Sequence, residues 1–239
     1  KKELFLQNRM GLIYLQMRLK LLTYCFVLPV ALISSWVKMP FILFSFCFLI
    51  GLFITFKHKK ELKRLFPWAG WANYLSWIRF FILFFIAIHY NDLNQNQTGL
   101  LLLTAGLMDG LDGVVARNLK QVTHYGKIMD EEIDALFVFL SGFILVCVLQ
   151  FSWLLLLPAL LKYVKDILLL TFPGLFPYHP VIPSARFIAG ISFIIYPVIL
   201  FLPPYWQYGA AISVTVLLMY SLLAEIYKSS VLAKKAFRY

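Results

Sequence analysis

The chain has 239 residues, of which 62% are hydrophobic and 18% aromatic, and its mean hydropathy is +0.81. This apolar surface exceeds what a soluble domain of this length could bury, so composition excludes an ordinary soluble protein and predicts an integral membrane protein. The net charge is +11. We attribute it to the membrane and not to nucleic acid, because the basic residues cluster at the ends of apolar runs, where they favour the cytoplasmic side and anionic headgroups.

Residues 1–66 are predicted to be an N-terminal addition. Residues 1–20 mix basic and apolar side chains at helical spacing, which is typical of an interfacial segment. Two apolar runs at about 21–37 and 40–56 follow, separated by two residues, and predict a helical hairpin. Neither run contains a charged residue, which favours a lipid-facing or oligomer-stabilising role over catalysis. The basic stretch 57–66 predicts a cytoplasmic loop.

Residues 67–239 are predicted to form a core of six further spans, so the fold class is all-α with about eight spans. Polar and apolar residues do not alternate with a period of two over long stretches, which favours helices over barrel strands. A tryptophan-rich stretch at 67–77 is expected along the membrane interface, and a proline-rich link at 173–186 is expected as a cytoplasmic loop. Both termini then face the cytoplasm. The six spans are expected at about 76–90, 98–118, 130–150, 152–172, 187–203 and 207–227.

Four regularly spaced aspartates stand out in this apolar chain. Asp109 and Asp112 are three residues apart, and Asp130 and Asp134 are four apart, so each pair lies on one face of its helix. Four carboxylates aimed into one apolar space would repel one another and resist ionisation unless positive charge lay among them. Divalent cations with oxygen ligands meet this need, so the sequence predicts a metal site.

The residues beside the aspartates indicate what such a metal site would serve. Gly113 and Gly126 permit another group to approach the backbone closely, and Ala116 is small. Arg117 carries a guanidinium suited to bidentate phosphate contact. These features favour a phosphate-bearing substrate and phosphoryl-type transfer, in which a spare carboxylate accepts the proton of the attacking hydroxyl.

The same residues resemble the signature of the CDP-alcohol phosphotransferase family, over about residues 67–227. The pattern is D, two residues, DG, two residues, AR, eight residues, G, three residues, D, three residues, D. Asn73, Ser76 and Arg79 also resemble the asparagine, Ser/Thr and arginine that open the family's first core helix. The matching residues are Asp109, Asp112, Gly113, Ala116, Arg117, Gly126, Asp130 and Asp134.

The resemblance implies a six-helix core, usually in a homodimer, that transfers a phosphatidyl or related group from a CDP-linked donor, commonly CDP-diacylglycerol, to an alcohol and releases CMP. It implies two divalent ions, Mg2+ or Mn2+, at Asp109, Asp112 and Asp130. Asp134 is also expected near the metals, as the general base. A bacterial inner membrane is the expected location. Cytidine and diphosphate would be surrounded by Asp112, Gly113, Ala116, Arg117 and Gly126.

The acceptor stays open at this point. An anionic acceptor such as glycerol 3-phosphate or an inositol phosphate would need a basic pocket, for which Lys162, Lys165 and Arg186 are candidates. Alternatively, these residues only neutralise Asp166 and the lipid headgroups, and the spacing of Lys162 and Asp166 predicts an i,i+4 ion pair.

Two adjacent glutamates, Glu131 and Glu132, also have two interpretations. They either stabilise the N-terminus of a helix that starts near Asp130, or they repel anionic acceptors and attract cationic ones.

Three alternative functions are weighed against this interpretation. A soluble CDP-alcohol, such as CDP-ethanolamine, could be the donor with a lipid alcohol as acceptor, since the motif does not distinguish the two directions. An ion-coupled transporter is disfavoured because the charged core residues lie toward one half of the bilayer, without a matching acid cluster in the external loops. A catalytically silent scaffold would be expected to lack at least one of the four aspartates.

Overall fold

The computed structural model describes residues 20–65, 69–172 and 183–236, and the regular elements within these ranges are all helical. The all-α prediction is therefore confirmed, and the interfacial segment predicted before Lys20 lies outside the described residues. The helices are α1 (Lys20–Trp36), α2 (Pro40–Lys57), α3 (Lys59–Leu62), α4 (Trp71–His89), α5 (Gln95–Asn118), α6 (His124–Cys147), α7 (Leu157–Thr171), α8 (Pro183–Ile199) and α9 (Pro204–Ala236), with a 3-10 turn at Trp153–Leu156 before α7.

Four of these helices are long and apolar enough to cross a bilayer: α2, α4, α5 and the Pro204–Ser229 part of α9. The apolar segments Lys20–Trp36 and Phe187–Ile199 are shorter. α7 has 15 residues, and α6 carries five charged residues in its first half. The described ranges thus contain four candidate spans, which fits an integral membrane protein, and the predicted total of eight is not confirmed.

Several helix boundaries differ from those predicted. α4 begins at Trp71, so much of the tryptophan-rich stretch forms the first turns of this helix and does not lie separately along the interface. α6 begins at His124, six residues before Asp130, because the Thr123 hydroxyl caps it by accepting a hydrogen bond from the Gly126 amide at 2.9 Å. Arg186, predicted to end a loop, lies within α8.

The N-terminal hairpin packs onto the rest of the protein through one face. α2 contacts α4 and α6, and the side chains of Val27, Ala31, Leu43 and Phe44 are buried there. The opposite face exposes large apolar side chains such as Phe53. The hairpin therefore leaves its outer side exposed, and its inner side completes the apolar core.

Close backbone contacts hold the helices of the core together. α5 packs on α4 and α8, and Gly106 of α5 lies against α8 so tightly that a Cβ there would be 2.5 Å from the carbonyl oxygen of Phe193. Small residues at helix contacts are the usual means of close packing within a membrane. This contact fixes the distance between α5, which carries two of the aspartates, and α8.

We expect Gly106→Ala to force α5 and α8 apart and to destabilise the protein by about 1–3 kcal/mol. The matched control is Gly110→Ala on the same helix, where a Cβ would meet nothing within 4 Å; because alanine favours the helix, this change should be neutral or stabilise by up to about 1 kcal/mol. Thermal unfolding of the purified variants in detergent measures both. Equal melting temperatures would contradict the close contact.

Candidate active site

Arg79 of α4 lies at the centre of the four predicted aspartates. Its side chain is fully buried, and its Nε donates a hydrogen bond to the carbonyl oxygen of Ala105 at 3.2 Å. The guanidinium nitrogens face carboxylates from two other helices. Nη1 lies 2.9 Å from Asp109 Oδ1, 3.2 Å from Asp112 Oδ2 and 3.1 Å from Asp130 Oδ1, and Nη2 lies 3.0 Å from Asp134 Oδ1.

Three helices build this cluster, and each contributes residues one turn apart. α4 contributes Ser76 as well as Arg79, and the Ser76 hydroxyl donates to Asp112 Oδ2 at 3.3 Å. The last turns of α5 supply one pair of aspartates, and the early turns of α6 supply the other. The predicted pairing of acids on single helix faces therefore holds, and α4 provides the positive group between the pairs.

The charges of the cluster are not balanced by the arginine. One guanidinium can offset only one of four ionised carboxylates, so the cluster has an excess of negative charge around a buried arginine, while Asp109, Asp130 and Asp134 are partly exposed. Each aspartate contacts Arg79 through one carboxylate oxygen, so its second oxygen could serve a metal ion. The site therefore has both the charge and the oxygen ligands that a hard divalent cation requires.

Three of the aspartates also have suitable spacing for an ion. Asp109, Asp112 and Asp130 each place a carboxylate oxygen within 4.8 Å of the others. An ion with oxygen ligands at roughly 2.0–2.6 Å could bridge them. These three aspartates could thus hold a divalent metal, whereas Asp134 lies outside the triad and contacts the other terminal nitrogen of Arg79.

Cavity A, with a volume of about 400 Å³, opens beside Asp112 and Asp130. It lies between α4, the end of α5 and the start of α6, and it brings the predicted phosphate-binding residues together. The Arg117 guanidinium lies against Gly113, where a Cβ would be 3.4 Å from Nη1. These predicted lining residues are Gly113, Ala116, Arg117 and Gly126.

Gly126 has a packing role that its sequence position did not reveal. A Cβ on Gly126 would lie 2.8 Å from Asn73 Oδ1 and 3.1 Å from Thr123 Oγ1. The Asn73 amide nitrogen donates to the Ala69 carbonyl at 2.6 Å, so Asn73 is held in place. The glycine therefore allows α4 and α6 to approach each other beside cavity A.

Cavity B, of about 230 Å³, lies on the other side of the acid cluster between α6, α7, α8 and α9. Asp134 lines it, as do Lys162 and Lys165 of α7. The side chain of Arg186 lies outside the described residues. Cavity B thus contains two of the three predicted basic candidates.

The lysines of cavity B have contacts that differ from those predicted. Lys162 donates to the backbone oxygen of Glu131 at 2.7 Å, and Asp166 pairs instead with Lys165 at 3.7 Å. The predicted ion pair between Lys162 and Asp166 is therefore wrong, because Lys162 reaches across to α6. Lys165 also contacts Glu225 of α9 at 2.6 Å.

The two adjacent glutamates both contact α1, but they have different partners and surroundings. Because α6 starts at His124, neither lies in its first turn, and the predicted stabilisation of a helix N-terminus is wrong. Glu131 lines cavity B and pairs with Lys20 at 3.6 Å and Lys127 at 3.9 Å. Glu132 faces α1, where it forms a hydrogen bond with the Tyr24 hydroxyl.

Arg79 is the functional residue whose role the sequence reasoning missed. The sequence identifies Arg79 only through the resemblance at the start of the first core helix and assigns it no partner. A signal existed, because a charged residue within an apolar span is costly unless it finds a partner. Glu225, by contrast, belongs to no motif, and only the packing of α9 against α7 brings it to Lys165.

We expect Arg79→Met to lower stability by about 3–5 kcal/mol in EDTA, because it leaves four carboxylates without their positive partner. Added Mg2+ or Mn2+ should restore part of the loss by supplying positive charge. The control is Arg117→Met, which removes an exposed guanidinium and should change stability by less than about 0.5 kcal/mol. Thermal unfolding in detergent measures both, and similar melting temperatures for the two variants would contradict the assigned role of Arg79.

The residues of this site also lie within a region that resembles a known protein family. A family model described as CDP-alcohol phosphatidyltransferase matches residues 69–226, about two thirds of the chain, and this range includes the acid cluster with the described linings of cavities A and B. A search of curated proteins found no match, and neither did a search of solved structures. The resemblance carried by the aspartate signature is confirmed, and the chain belongs to the CDP-alcohol phosphatidyltransferase family.

Proposed function

We propose that this protein is a metal-dependent membrane transferase that moves a phosphatidyl group from CDP-diacylglycerol to a polar alcohol and releases CMP. The observation that supports this most strongly is the position of the acid cluster between two cavities. Asp112 and Asp130 line cavity A, and Asp134 lines cavity B. Two substrates held in these cavities would meet at the aspartates, which is the arrangement a group transfer requires.

The donor is assigned to cavity A. Arg117 would contact the diphosphate in a bidentate manner, and Gly113 adds no side chain beside its guanidinium, whereas Gly126 lets α4 and α6 approach each other at the cavity wall. Ala116 and Asp112 complete the surroundings of the cytidine and diphosphate. Lys127, which also lines this cavity, adds a second positive charge near the phosphates.

The metal ligands are assigned to the aspartates. Asp109, Asp112 and Asp130 would hold two divalent ions, Mg2+ or Mn2+, with Asp134 close by. When bound, the ions would offset charge on the diphosphate and on the departing CMP. Arg79 positions all four carboxylates, since its guanidinium contacts one oxygen of each.

Asp134 is assigned as the general base. It lines cavity B, so one of its oxygens can take the proton of an acceptor hydroxyl bound there, while Arg79 holds the other. Asp130 lies one helical turn earlier on the same face and completes the catalytic pair. The acceptor oxygen would then attack the phosphorus atom that is bonded to CMP.

For the acceptor we propose an anionic alcohol such as glycerol 3-phosphate or an inositol phosphate. Lys162 and Lys165 lie in cavity B with Asp134, and Arg186 is three residues before Ala189, which lines the same cavity. Because Lys165 is bound by Glu225 and Asp166, an anionic acceptor would have to replace at least one of these contacts.

The proposal extends to organisation and location. Residues 67–239 would form the catalytic core of a homodimer, and residues 1–66 would be the addition. The basic segment 117–127 joins the two helices that carry the aspartates, and the basic segment 57–64 lies beside it, since Glu61 accepts a hydrogen bond from the His124 amide. This supports a cytoplasmic active site and cytoplasmic termini at a bacterial inner membrane.

We expect Asp134→Asn to reduce CMP release at least about 100-fold, because it removes the proposed base. The control is Asp92→Asn, an exposed aspartate between α4 and α5 whose change should leave the rate unaltered. The assay uses purified protein, CDP-diacylglycerol, Mg2+ or Mn2+, and a panel of alcohols. CMP release from CDP-ethanolamine with diacylglycerol, and not from CDP-diacylglycerol, would reverse the proposed direction; no CMP release from either donor would refute the transferase.

We expect Lys165→Met to raise the KM for the acceptor about tenfold while the KM for CDP-diacylglycerol changes little, since an uncharged side chain loses roughly one charge-assisted contact. The matched variant is Glu225→Gln, which frees Lys165 from its closest partner and should lower the acceptor KM. Steady-state kinetics with each substrate varied in turn measures the two KM values separately. Equal changes in both KM values would show that Lys165 is structural.

A further inference from the structure

A third cavity, cavity C, of about 300 Å³, lies between α1, α2 and the start of α6, outside the aspartate cluster. Four basic or imidazole side chains line it: Lys20, Lys57, His58 and His124. They come from three helices, since Lys20 is on α1, Lys57 ends α2 and His124 begins α6. The cavity therefore has a basic end that is formed only by the tertiary structure.

The remainder of cavity C is mostly apolar. Leu49, Phe53 and Ile54 of α2 line it one to two turns from Lys57. Leu49 and Phe53 are 64% and 61% exposed, so this wall opens sideways, on the face where a bilayer would lie. Leu49 and Lys57 are separated by about 12 Å along the helix, at a rise of about 1.5 Å per residue.

The acidic groups near the basic end already have partners. Glu61 contacts His58 Nδ1 at 3.1 Å and accepts a hydrogen bond from the His124 amide at 2.9 Å, which brings the two imidazole rings to 5.7 Å. Glu132, the carboxylate in the lining, is bound by the Tyr24 hydroxyl. Lys20 is shared with Glu131 at 3.6 Å, and Lys57 is exposed at the helix end.

We propose that cavity C binds an anionic phospholipid of the bilayer. The phosphate would lie at Lys20 and Lys57, and an acyl chain would lie along Leu49 and Phe53. Lys57, for which the described residues show no ion pair, and Lys20 favour an anionic headgroup over a zwitterionic one, although Glu131 and Glu132 offset part of their charge. The apolar wall favours a lipid over a free phosphate. The site does not depend on the proposed transferase activity.

The test measures lipid retained by the full chain. Protein is purified in detergent, exposed to vesicles of equal parts phosphatidylglycerol and phosphatidylcholine, re-purified, and its bound lipid is quantified by mass spectrometry. Lys20→Gln with Lys57→Gln should reduce the preference for phosphatidylglycerol by roughly fivefold for each lysine. Lys60→Gln with Lys63→Gln removes equal charge from exposed positions beside the cavity and should leave the preference unchanged.

A second pair of variants tests the apolar wall. Ile54→Trp fills the cavity and should lower retention, whereas Phe26→Trp, at an exposed apolar position of α1 outside the lining, should not. Glycerol 3-phosphate without acyl chains should fail to compete. Three outcomes would each overturn the proposal. The two lysine pairs could lose the preference equally, or glycerol 3-phosphate could compete with the lipid. The parent protein could also retain no lipid, as it would if another segment or a second copy filled the cavity.

Discussion

The contact between one buried arginine and four carboxylates is the interaction on which the rest of this site depends. Arg79 reaches acids of α5 and α6, so a single guanidinium fixes how three helices meet. Desolvating these charges is costly, and the fold tolerates it because every guanidinium nitrogen faces a partner. The negative charge that remains is what would make the cluster bind cations. The same imbalance thus limits stability and provides the proposed chemistry.

α6 is the helix that the three cavities share. Successive side chains on a helix are rotated by about 100°, so neighbouring residues serve different surroundings. Asp130 faces cavity A, Glu131 and Asp134 face cavity B, and Glu132 faces cavity C. A substitution in α6 that alters one cavity is therefore close in space to the other two cavities, although each cavity is lined by different residues. This arrangement explains how four acids within five residues can have separate roles.

The N-terminal helices are an integral part of the packed structure. α2 covers faces of α4 and α6, and an aromatic contact of 6.0 Å between Phe44 and Phe80 lies at this surface. A hydrogen bond from Trp77 to Tyr125 at 3.0 Å, joined by Thr55 at 2.8 Å, links α2, α4 and α6 near the acid cluster. The hairpin therefore supports the two helices that carry Arg79 and two of the aspartates.

Composition and local spacing were sufficient for the membrane class, the helical fold and the family, because each depends on residues close together in the chain. Local spacing failed where several partners competed: it paired Lys162 with Asp166, whereas Lys162 reaches Glu131. Arg79 lies 33 to 55 residues from three of its acids, and such contacts leave no periodic signal. Only the packing of α4 against α5 and α6 could decide that the arginine lies among the aspartates and that two cavities open on either side of them.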